Sequence, residues 1–117
     1  MAATIKQIRN GTEHYLTMVH QSDPPYSRVV KPSKDHEPVD DWIWVPKKGD
    51  GWGALCVHTN LGVAFMEVDT STSPQTLSVT WEDGVEAKPQ TLPLRRDEEP
   101  IRLEIHEDGT LDATRLP

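Results

Sequence analysis

Cysteine is nearly missing from this chain. Cys56 stands alone, so no disulfide can close within it. A lone thiol fits a reducing compartment. Long apolar runs are missing too: none approaches the roughly 20 residues of a spanning helix. The first residues, Met1 to Asn10, lack the apolar centre of a secretory leader. The expectation is a soluble protein in the cytoplasm, or in a particle assembled there, with no membrane partner. Positive charge is short as well. Lys and Arg number 12 against 19 Asp and Glu, for a net charge of −7. Such a chain repels phosphate backbones, which argues against a nucleic-acid partner. Two basic spots remain, Lys47-Lys48 and Arg95-Arg96, and the second runs straight into Asp97, Glu98 and Glu99.

Signatures of catalysis are also lacking. There is no G-x-S-x-G elbow, no G-x-x-x-x-G-K phosphate loop and no C-x-x-C pair. Acids do pair up, as in Asp40-Asp41, Glu82-Asp83 and Glu107-Asp108. Two of these pairs fall where a turn is expected, and Asp favours the turn itself. No catalytic residue and no cofactor is assigned, and the chain is not read as an enzyme.

What is present is short apolar alternation broken by 10 prolines. Proline interrupts helices and suits turns, so many short strands are expected rather than helices. Three stretches share one pattern: an alternating run, a loop ending in Gly, and a second run. The loops are Asn60-Leu61-Gly62, Glu82-Asp83-Gly84 and Glu107-Asp108-Gly109. A three-residue hairpin loop commonly ends on a left-handed Gly. That length sets Trp81 opposite Val85, Val79 opposite Ala87, Ile105 opposite Leu111 and Leu103 opposite Ala113, which matches apolar with apolar. The central hairpin, 53–59 with 63–69, is expected to be buried on both faces. Leu55, Val57, Val63 and Phe65 would take one face, and Ala54, Cys56, Ala64, Met66 and Val68 the other.

Strands are also expected at 14–20 and at Trp42 to Val45, the latter stopped by Pro46. Thr4 to Arg9 reads as a further strand, although Ile5 and Ile8 are spaced as on one helical turn. The segment Gln21 to Asp41, with Pro24, Pro25, Pro32 and Pro38, reads as a long Pro-rich loop or arm. Together these predict one all-β domain over 1–117. It would be a small antiparallel sandwich or partly open barrel of about eight short strands joined by Gly-ended hairpins.

The binding candidates are aromatic. Trp42 and Trp44 project from one face of their strand. Trp52 follows in the Gly-rich stretch 46–53 beside Lys47 and Lys48, and Tyr26 precedes them. Buried, the indoles would be core; exposed, they would anchor a protein partner or stack on sugar rings. Of the histidines His14, His20, His36, His58 and His106, only His58 has a suitable neighbour for metal binding. Cys56 and His58, two apart on one strand, are acceptable ligands by geometry, but their face also carries Ala54, Ala64 and Met66, so a buried thiol and a satisfied histidine are the preferred reading and no metal is assigned.

The order Asn10-Gly11-Thr12-Glu13-His14-Tyr15-Leu16-Thr17, a loop with Pro and Tyr, Gly51-Trp52-Gly53-Ala54-Leu55-Cys56-Val57, and the Asp83-Gly84 turn resembles a known arrangement. It is similar to the C-terminal β-segment of calcineurin-like metallophosphoesterases, over about residues 10 to 88. Val19-His20 stands where that family has a glycine pair, and the family's Asn-His-Asp and Gly-His-x-His elements do not occur. The resemblance therefore implies a detached or repurposed end of such a fold, with no catalytic residue carried over. Three function classes follow. The first is a non-catalytic binding or assembly module, such as a structural subunit of a phage virion, with a protein partner or a second copy. The second is a carbohydrate-binding module using Trp42, Trp44 and Tyr26. The third is a metal-dependent hydrolase or part of one.

Overall fold

A computed structural model describes residues 3–21, 26–33, 38–49 and 53–117, with the backbone alone for Tyr26 and Val39. Strict two-residue alternation sets the architecture. Burial alternates residue by residue along β2 (Leu16–His20), β6 (Val63–Asp69) and β9 (Glu99–Ile105). One face of each strand is therefore apolar and must be covered. Two sheets cover one another. The first has the order β10 (Leu111–Arg115), β9, β1 (Ala3–Asn10), β4 (Val39–Trp44). The second runs β3 (Tyr26–Val30), β2, β5 (Leu55–His58), β6, β7 (Thr76–Trp81), β8 (Gln90–Pro93). The fold is an all-β sandwich of 10 strands, and the described residues contain no helix. None is therefore long and apolar enough to cross a membrane.

Ile5, Ile8, Ile43, Ile101, Leu103 and Ile105 of the first sheet and Met18, Leu55, Met66 and Leu77 of the second form the core. β1 bonds to β4 antiparallel and to β9 in parallel; among the described strands every other ladder is antiparallel, and an isolated parallel bridge joins Lys47 to Val68. The register shifts between Ile5 and Gln7 on both sides of β1. An extra residue there flips the alternation, so Ile5 and Ile8 both point inward. The helix-like spacing of these two isoleucines is thus the mark of a bulge.

The three Gly-ended loops have different outcomes. Ile105 pairs with Leu111 and Leu103 with Ala113, as the apolar match predicts. The loop closes through His106 N to Thr110 O at 2.8 Å, with Gly109 at φ 91°. The central hairpin is one residue tighter than expected. Thr59 and Gly62 exchange both backbone bonds, and the Thr59 hydroxyl accepts the Leu61 N–H at 3.1 Å. This leaves a two-residue loop and pairs His58 with Val63. Leu55, Val57, Ala64 and Met66 consequently share the inner face, and Cys56, His58, Val63 and Phe65 the outer one, which corrects the expected division. The Glu82–Gly84 turn forms, with Val85 N bonded to Glu82 O at 3.3 Å. Its second run does not pair back: Val79 lies opposite Gln90, not Ala87, and residues 80–89 intervene. Pro89 has no N–H to offer a ladder, so pairing resumes only after it. Gln21 to Asp41, read as one long loop, is divided: β3 pairs with β2, and β4 begins at Val39.

Side chains close both lateral seams of the sandwich. On one side the Gln90 amide donates to Ala113 O at 2.8 Å and accepts from Ala113 N at 2.9 Å. Arg115 donates to Pro93 O at 3.0 Å and Arg95 to Leu116 O at 2.9 Å. On the other, Arg28 of β3 pairs with Asp41 of β4. Glu99 is fully buried at the start of β9. It accepts from Arg95 N at 3.1 Å, Arg95 Nε at 3.0 Å and Arg96 Nε at 3.2 Å. Burial alone raises its pKa, but the Arg95 hydrogen bonds and charge and the Arg96 bond outweigh that and hold it below the ordinary 4.5.

Leu103→Ala empties a site wholly inside the core. It is expected to cost about 2–5 kcal/mol in urea or thermal unfolding. A carboxyl with a lowered folded pKa stabilises above its unfolded value and loses that contribution as pH falls through the folded one. Stability is therefore expected to be full above 4.5 and to fall below it. Asp69 and Asp108, lowered by hydrogen bonds from Ser71 and Thr110, act in the same direction. Denaturant titrations at neutral pH and at about pH 3 should show a smaller acid loss in Glu99→Gln than in the parent.

Candidate functional site

β4 is an edge strand of the first sheet, and its alternation settles where its indoles go. Ile43 and Val45 are buried in the core, so Trp42 and Trp44 point away from it. Their environments then differ. Trp42 is 63% exposed. The Lys6 ammonium lies 2.8 Å from the centroid of its ring, a cation–π contact made from the neighbouring strand. Lys6 reaches it because the β1 bulge sits at that point of the ladder. The Trp42 backbone is fixed by its N–H to Asp41 Oδ1 at 2.7 Å, and Asp41 also pairs with Arg28. Trp44 is half-buried and tilts against His20 of β2, with ring centroids 3.9 Å apart. His20 itself is fully buried. Trp44 thus belongs to the join between the sheets, and Trp42 alone is presented outward.

The other aromatic and basic candidates do not gather around this ring. Lys47 and Lys48 are exposed on the connection after β4, where Lys48 N donates to Val68 O at 2.8 Å. It is Lys6 that sits on the Trp42 ring. Tyr26 aligns with His20 along the β2–β3 ladder, its side chain lying outside the description. Trp52 lies outside the described residues.

Cys56 and His58 share the outer face of the second sheet. Cys56 is buried there, between Val19 and Phe65 on the flanking strands, while His58 is exposed. Burial, with the charge of Glu67 adding to it, pushes the thiol above its ordinary 9.0. A protonated thiol is a poor metal ligand and a poor nucleophile. His58 instead lines a depression of about 310 Å³ with His14, Tyr15 and Asn60. Among the described residues no three His, Cys, Asp or Glu side chains are grouped to hold a metal ion.

A groove of about 520 Å³ escapes the sequence reading altogether. It runs between residues 86–90 and the last hairpin. Its lining includes Trp81, Glu86, Lys88, His106 and Asp112. The one available signal was Pro89, which ends pairing and holds the chain away from the last hairpin.

No protein-family model, no curated protein and no solved structure matches this chain.

The raised thiol pKa has a direct consequence. Cys56 in the folded protein should react with a disulfide reagent at mildly alkaline pH at least about tenfold more slowly than after unfolding. Absorbance at the released thiolate follows the reaction, and equal rates would contradict the burial described.

Proposed function

We propose that this chain is a non-catalytic binding or assembly module that docks protein through the outer face of β4. In the simplest case the partner is a second copy of the chain. In this reading it serves as a small structural subunit of a larger particle, such as a phage virion, assembled in the cytoplasm. The supporting observation is Trp42, a large indole held outward at a sheet edge with Lys6 fixed upon it. Tryptophan dominates the energetics of protein contacts because it removes a broad apolar face from water. The Lys6 contact restrains the ring in advance, so less freedom is lost on docking. Around it lie ion pairs, Arg28–Asp41 and, farther across the sheet, Arg9–Glu104. An apolar anchor with a charged surround is the usual build of a contact surface.

Sugar stacking at Trp42, the other use of an exposed indole, has less support. Lys6 already occupies one face of the ring. Trp44, the second platform that stacking would use, is turned toward His20.

Sedimentation velocity over a range of concentrations tests the docking reading. The parent is expected to associate, and Trp42→Ala to weaken association by about tenfold or more, the loss typical of a central tryptophan. A parent that stays monomeric throughout, or a variant that associates equally well, counts against it.

A further inference from the structure

The groove beside the last hairpin has the makings of a second, independent site. β8 covers β7 only as far as Val79, so Trp81 extends past the end of its neighbour. Trp81 still pairs with Ala64 on β6 and packs against the core, which fixes its indole at the groove. Glu86 and Lys88 stand on one wall, and His106 and Asp112 on the other. The His106 Nε2 and Asp112 Oδ2 atoms are 2.6 Å apart, so the pair is held as a unit across the hairpin. The Thr110 hydroxyl on the same wall donates to Asp108 Oδ1 at 2.6 Å.

This lining is chemically balanced. Each carboxylate has a basic group on its own wall: Glu86 with Lys88, and Asp112 with His106. A simple anion or cation gains little from such an arrangement, because each meets repulsion as well as attraction. A ligand whose groups both donate and accept is suited to it, provided it also has an apolar face for the indole. A pyranose ring has both properties: hydroxyls around its rim and a C–H face that lies on an aromatic ring. The volume, about 520 Å³, lies within the range of small-ligand pockets.

We propose that this groove binds a neutral saccharide, with Trp81 as the stacking platform and Glu86, Lys88 and Asp112 as hydroxyl partners. The site is separate from the β4 face and does not depend on the assembly reading.

The test is a titration of the isotope-labelled full chain, followed by amide and indole NMR shifts. Glucose, galactose, mannose and N-acetylglucosamine serve as probes at millimolar concentration, with arginine and phosphate as charged comparators. At least one sugar is expected to shift the Trp81 indole together with residues 86–90 and 110–112. Lys88→Ala with Asp112→Asn, both on exposed side chains, is expected to weaken that binding about tenfold. Trp81→Phe tests the platform, and its folding is read from the same spectra. Trp42→Ala should leave the response unchanged. The proposal is overturned if no sugar shifts these signals, if arginine or phosphate shifts them and the sugars do not, or if the double variant binds as the parent does.

Discussion

The parallel ladder between β1 and β9 is the constraint on which the rest of the molecule hangs. Ile5 lies opposite Ile101 and Ile8 opposite Leu103, so the two ends of the chain supply the middle of one sheet. The side chains of those four residues are fully buried in the core. Everything between them must return the chain to the same place. The second sheet, with β4 of the first sheet inserted between β3 and β5, makes up the long connection that does so. The bulge in β1 adjusts this ladder to its neighbours. It turns Ile5 and Ile8 both inward and brings Lys6 to the Trp42 ring. One irregular residue thus serves core and surface together.

Edge strands are the second theme. A two-sheet sandwich has four of them, and each carries backbone groups that invite another strand. Here the edges face each other in pairs and are joined by side chains. Gln90 imitates a strand, giving Ala113 both a donor and an acceptor. Arg28 and Asp41 tie the opposite side. Pairing edge to edge with other copies is thereby discouraged.

Much of the fold was legible because its signals were local. The last hairpin could be read to the residue, since Gly109 marks the left-handed position and Ile105, Leu103, Leu111 and Ala113 allow one apolar match. The central hairpin slipped by one because the deciding contact is a side-chain bond, Thr59 to Leu61, which alternation does not encode. β3 was hidden because its composition, Tyr26-Ser27-Arg28-Val29-Val30, lies among prolines and gains its order from β2. The parallel pairing was beyond reach, since β1 and β9 are remote in sequence and no turn connects them. The site follows the same division. Alternation put Trp42 and Trp44 on one side of β4, but only the packing separates them. Trp81 and the His106–Asp112 pair come together through tertiary structure alone.

The ladder between the two ends also sets an order of events during synthesis. Hairpins such as β5–β6 need only neighbouring residues and can close as soon as they emerge. The first sheet cannot, because β1 waits for β9, and Ile5 for Ile101. Until then β1 has only β4 beside it, and its other edge lies open next to a half-built sandwich. Contacts this remote close slowly, and the interval is one in which a chaperone has something to hold.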